Sequence, residues 1–147
     1  MNYGTTKGGK TLSFKIHGME KLMSALKDIP IEATKATQEK MLVVCLDLSQ
    51  KSIELAPLGV DYKNHTAGEL KRSGFAEVES KGKKITGRVG FGKNGSEADK
   101  YSLRQHEELS FNHPRGGQAK FLEEPFKENI QNYITAIGRA IKRQVSK

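Results

Sequence analysis

The stretch from Pro30 to Ala56 constrains the fold more than any other part of the sequence. Met41, Val44, Cys45, Leu48 and Leu55 recur there at helical spacing. Pro30 suits a first helical position, because the N–H it lacks would be unpaired there anyway. Pro57 stops the run. A helix over these residues is roughly 40 Å long at 1.5 Å per residue, which makes it the spine of the domain. Leu42, Val43 and Leu46 widen the apolar stripe, so the middle of this helix is expected to be buried on more than one side.

The other elements are shorter. Thr11 to His17 alternates, with Leu12, Phe14 and Ile16 on one side, and reads as a half-buried strand ended by Gly18. Met19 to Asp28 reads as a short helix with Met19, Leu22, Met23 and Leu26 on one face. Leu58 to Gly68 is a loop. Leu70 to Ser80 is expected to be extended, Lys81-Gly82-Lys83 suits a turn, and Ile85 to Phe91 alternates again, so the pair reads as a β-hairpin. Lys100 to Leu109 reads as a short helix or turn, and Ser110 to Gln118 is irregular around Pro114, Gly116 and Gly117. Phe121 to about Gln144 carries the stripe Leu122, Phe126, Ile130, Tyr133, Ile134, Ile137 and Ile141 of a closing helix. Its acids Glu123, Glu124 and Glu128 lie near the start and its bases Arg139, Lys142 and Arg143 near the end, as the helix dipole favours.

These patterns give a single-domain α+β fold: an N-terminal strand, a short helix, a long helix, a β-hairpin and a C-terminal helix packed on a small antiparallel sheet. The 147 residues divide into a flexible N-terminal arm over 1–10, with Gly4, Gly8 and Gly9, and one domain over 11–147. A fold of that size buries roughly 68–70% of its unfolded surface. The longest apolar run, Met41 to Leu46, is far too short to span a bilayer, so no membrane partner is expected. Met1 to Lys10 lacks the apolar segment of a signal peptide. The one cysteine, Cys45, is expected as a reduced core thiol, with a cytoplasmic origin the default.

The net charge of +8 admits a nucleic-acid partner. Lys81, Lys83, Lys84 and Arg88 cluster on the hairpin and are the candidate DNA-facing residues. The same lysines could instead blunt an exposed sheet edge. Gly4-Thr5-Thr6-Lys7-Gly8-Gly9-Lys10-Thr11 matches the Walker A pattern, and Leu42 to Asp47 imitates a Walker B strand. A phosphate-binding loop needs a buried strand before it and a helix after it. Only three residues precede Gly4, a strand pattern follows Thr11, and Asp47 falls within a helical period. His106-Glu107-Glu108 with His113 nearby lacks the spacing of a zinc helix, and these histidines are expected at the surface or an interface. No catalytic constellation is seen, and neither enzyme activity, cofactor nor metal is expected.

Four blocks, in order, resemble one family. Phe14-Lys15-Ile16-His17-Gly18-Met19-Glu20-Lys21-Leu22 is similar to its strand, glycine and helix start. Leu55-Ala56-Pro57 followed by Thr66-Ala67-Gly68-Glu69-Leu70-Lys71-Arg72-Ser73 is similar to its "A-P…T-G-x-L-x-x-S" segment, with a longer loop between. Tyr101-Ser102-Leu103-Arg104-Gln105-His106-Glu107 resembles its "Y-A-x-x-x-E" block. Gly117-Gln118-Ala119-Lys120-Phe121-Leu122-Glu123-Glu124-Pro125 resembles the start of its closing helix. The family is that of the head–tail joining, tail-completion or minor capsid (neck) proteins of long-tailed bacteriophages. One departure is Glu108-Leu109-Ser110, where the family often has Gly-Thr.

The resemblance implies a structural virion protein, made in the host bacterial cytoplasm, that joins the DNA-filled head to the tail. Its implied partners are copies of itself in a ring, a head-completion or connector protein on one side, and a tail-tube or tail-terminator protein on the other. Genome DNA would pass through the lumen. Six copies would match the tail and twelve the portal; six is the expectation. By position, Tyr101, His106, Glu107, Phe111 and Phe121 are the candidate partner-interface residues, with Phe126 assigned to the core. The alternative is a non-specific nucleic-acid-binding protein.

Overall fold

A three-stranded antiparallel sheet and one long helix cover the same strip of the long central helix from two sides. In the computed structural model the described residues are 12–15, 31–61, 66–82, 84–92 and 96–146. They form β1 (Leu12–Lys15), α1 (Ile31–Leu55), α2 (Glu69–Arg72), β2 (Phe75–Lys81), β3 (Lys84–Phe91), α3 (Glu97–Glu107) and α4 (Glu123–Val145). The sheet order is β1-β3-β2. β2 and β3 form the expected hairpin, in register from Phe75 opposite Gly90 to Lys81 opposite Lys84. β1 pairs with the other edge of β3, Leu12 opposite Phe91 and Phe14 opposite Val89. The α+β class read from the sequence is the class observed. The arm over 1–10 and the helix expected over Met19 to Asp28 lie outside the described residues.

The helix α1 buries Thr37, Met41, Val44, Cys45, Leu48, Ser49 and Ser52, and Ala56 just past its end is buried too. Its neighbours are β2, β3 and α4. The expectation of burial on more than one side fails for Leu42, Val43 and Leu46, which are 41, 54 and 53% exposed. The reason is angular. At 100° per residue these three side chains fall within about a quarter-turn of one another, on the side away from Leu48. The sheet and α4 flank the Leu48 stripe, and no described element reaches the opposite side. An apolar run therefore became half core and half surface.

The sheet comes very close to α1 at one place. Gly87 of β3 lies against Cys45 and Met41: a Cβ there would stand 2.5 Å from Cys45 Sγ and 3.1 Å from Met41 Sδ. Glycine is required by the space. Cys45 is buried and free, as expected, and burial pushes its thiol up to about 11.

Contacts with α4 are partly polar. Tyr133 donates its hydroxyl to Asp47 Oδ2 at 2.6 Å. Lys51 pairs with the same carboxylate, donates to Asn129 Oδ1 at 3.0 Å, and lies 5.6 Å from the Tyr133 ring centroid. The Lys51 and Tyr133 hydrogen bonds hold the Asp47 carboxyl below its usual range. Burial, then the Asp47 bond, push the Tyr133 phenol upward. Asp47 is thus a helix-to-helix tie and not a strand-borne metal ligand.

Helix α1 ends where Pro57 disfavours helical backbone at Ala56. Its last carbonyls find partners far along the chain: Lys71 Nζ donates to Glu54 O at 3.0 Å, and Gln118 N–H to Leu55 O at 2.9 Å. Gly117, at φ +91°, makes that approach possible, because a Cβ on it would stand 2.5 Å from Pro57 Cα. The segment expected to be extended from Leu70 instead begins with the single turn α2. Gly68, at φ +77°, starts this turn, and β2 follows only from Phe75.

Gly87→Ala is expected to destabilise the protein by about 1–3 kcal/mol, the usual range for overpacking. Cys45→Ala in the same chain should recover part of that loss, which equilibrium denaturation of the two variants measures.

Candidate functional site

The functional candidates gather where α3, the loop after it and the start of α4 meet the end of α1. Helix α3 opens with Glu97 and Asp99 and carries Arg104 in its last turn, a charge order that its dipole favours. Its period separates two faces. Ala98, Ser102 and His106, four residues apart, point into the core. Tyr101 and Gln105, also four apart, look into a groove.

On the core side, His106 is fully buried. It packs edge-on against Phe121 at 5.0 Å between centroids, and Phe121 packs edge-on against Phe91 at the same distance. His106 Nε2 accepts the Glu123 N–H at 3.3 Å, and its carbonyl accepts the Lys120 N–H at 2.8 Å. The ring proton is thereby assigned to Nδ1, which donates to Glu107 Oε1 at 2.8 Å. The imidazole thus caps the start of α4, a helix whose own N-cap residue, Leu122, offers no side-chain cap. Burial holds His106 below its ordinary pKa despite Glu107 beside it. Burial opposes ionisation of Glu107, but hydrogen bonds from Lys120 and His106 outweigh it and hold that carboxyl below its usual range.

His106, Glu107 and Glu123 bring potential ligand atoms within 4.8 Å of one another. The cation between the two carboxylates is Lys120, which pairs with Glu107 and, at 3.2 Å, with Glu123. Because His106 Nε2 is also engaged, the cluster as it stands is a joint between α3 and α4. Lys120 sits at φ +55°, an unusual conformation for a side-chain-bearing residue, held by its backbone bond and two ion pairs.

These positions correct part of the sequence reading. His106 and Phe121 are wholly buried within the chain, so neither is available to a partner, and the surface expectation for His106 fails. The histidine caps a helix, and the phenylalanine fills the core between Phe91 and His106. Glu107 is half-buried and engaged by His106 and Lys120. Phe126 packs against the core, as assigned.

Tyr101 and Phe111 lie elsewhere, in the groove, a cavity of about 600 Å³. It is lined by two loop segments, its walls, Pro57 to Val60 with Thr66 and Phe111 to Gly116, and by Leu70, Tyr101 and Gln105. Gly117 against Pro57 closes the base between the walls. Tyr101 donates its hydroxyl to Glu69 Oε2 at 3.3 Å. Burial first, then the Glu69 charge, push that phenol up to about 12. Arg104 lies 5.1 Å from the centre of the Phe111 ring, within cation–π range. The loop from Leu58 to Gly68 is one of two segments that the sequence reading assigns to docking, with the arm over 1–10, but that reading singles out none of Leu58, Val60, His113 and Arg115 as an individual interface residue. Their only signal was position in two irregular segments, and nothing in either segment shows that Gln118 reaches back to Leu55.

The hairpin cations do not form a stripe of one sign. Lys81 pairs with Glu79 at 2.9 Å, and Arg88 reaches Glu79 at 3.2 Å and Glu77 at 3.6 Å. Lys84 is exposed at the strand start, and Lys83 lies outside the described residues. No described helix is long and apolar enough to cross a membrane. No family model, curated protein or solved structure matches the chain.

The His106 joint sets a pH dependence. The folded imidazole has a lower pKa than the unfolded one, so between the two values the unfolded chain holds more protons. Its contribution is therefore full above about pH 6.5 and falls as the pH drops below that value toward the folded pKa. His106→Asn should flatten the dependence in that window and cost about 1–3 kcal/mol at neutral pH, the range for an unmet buried polar group. Denaturation curves from pH 5 to 8 on both proteins check this.

Proposed function

We propose that the chain is a structural virion protein of a tailed bacteriophage, acting by docking in the neck between head and tail. The observation that carries this reading is the open face of α1. Leu42, Val43 and Leu46 lie within two turns in the middle of the longest helix, each two-fifths or more exposed. Three large aliphatic side chains grouped on one side of a helix and left uncovered by any described element support a contact surface. The resemblance carried by the four sequence blocks implies the particular assembly, a ring of copies with a connector protein on one side and a tail protein on the other; six copies, the number that would match the tail, is the preferred ring size. The function is positional, since subunits in a closed ring each present one face to the next.

Non-specific nucleic-acid binding draws less support. Its best feature was the hairpin, and there Glu77 and Glu79 lie among the cations and offset them. The net charge of +8 is compatible with a lining past which DNA slides without being held.

The test is deletion of the gene in the element that carries it, with the induced lysate imaged by negative-stain electron microscopy. Separate DNA-filled heads and tails are expected, and complementation with Leu46→Glu should fail where the wild-type gene succeeds. Intact, infectious particles from the deletion would overturn the reading.

A further inference from the structure

Beyond the joining role, the groove at the end of α1 has a chemistry of its own. We propose that it is a docking site for an extended segment of a partner protein, one that sets apolar side chains beside a carboxylate. Its size, about 600 Å³, is ample for several side chains, and it is a cleft and not an enclosed cavity, so a chain can enter it from outside. Leu58 and Val60 on one wall are 38 and 51% exposed, and half-buried Phe111 lines the same groove. An apolar segment laid between them removes all three from water.

The charged group is specified by the second wall. Among the described residues, Arg115 has no ion-pair or hydrogen-bond partner. His113 Nε2 is shielded from solvent and likewise has no partner. A guanidinium presents a fork of donors that matches a carboxylate. The acids near the groove are already engaged: Glu69 accepts from Tyr101, and Asp61, next to Val60 on the opposite wall, accepts the Ala67 N–H at 2.9 Å. The walls therefore differ in sign, and an occupant settles with its acid toward Arg115. A nucleic-acid strand fits poorly, because its repeated phosphates would meet the charges of Asp61, beside Val60, and Glu69, beside Tyr101.

The test uses the full chain and a fluorescein-labelled octapeptide of alternating leucine and glutamate, followed by fluorescence anisotropy. Matched peptides carry glutamine or lysine in place of glutamate. Saturable binding is expected for the glutamate peptide, weaker by about tenfold or more for the glutamine peptide, the order of one charge-assisted hydrogen bond. Arg115→Ala and Phe111→Ala should each weaken it by a similar factor, with circular dichroism confirming the fold. Lys142→Ala with Arg143→Ala, on exposed positions of α4, should leave it unchanged. The proposal is overturned by the absence of saturable binding, by equal binding of the glutamine peptide, or by equal loss in the α4 variant. None of those results bears on particle assembly, so the groove and the joining role fail separately.

Discussion

Everything else in the fold is arranged around the single buried stripe of α1. The stripe meets the sheet at Gly87, where Cys45 and Met41 leave no space for a side chain, and it meets α4 beside the Asp47–Tyr133 bond. Protein interiors are close-packed, so an approach of this kind fixes relative position and not merely proximity. Once α1 is held between sheet and α4, its end is held as well, and Leu55 and Pro57 become the anchor for the loop that returns through Gly117 and Gln118. That anchor shapes the groove. The core and the candidate docking surface are consequences of one helix and its two neighbours.

Much of this was legible from periodicity. The bounds of α1 and α4, the hairpin and its turn at Gly82 follow from apolar spacing and punctuation, which report local structure directly. What periodicity does not carry is which side of an apolar stripe finds a neighbour. Leu42, Val43 and Leu46 look like core in sequence because hydrophobicity is the same whether or not something covers it. His106 was misread for the opposite reason. A polar residue reads as surface unless its partners are known, and here they are the backbone N–H of Glu123 and the side chain of Glu107, in an arrangement that Lys120 completes. Of the five interface candidates, Tyr101 and Phe111 lie together in the groove, while His106 and Phe121 belong to the core.

The two surfaces left over are different in kind. The face of α1 is aliphatic and set on the longest described helix. The groove is concave, walled by two loops and signed by Arg115. A protein that acts by position needs contacts of both kinds, a rigid face to set geometry and a receptive groove to accept a partner's chain. In such contacts, shape and charge select the partner more than buried area does.

The central claim is that the chain acts as a component of a virion, with the face of α1 against another subunit. The most direct measurement is mass spectrometry of particles purified from the source phage and treated with a lysine-reactive cross-linker. The account predicts that the chain is present in a small, fixed number of copies, with cross-links from Lys35 and Lys40, which border the Leu42 face, to another subunit. Particles that infect normally and contain none of the chain would contradict it.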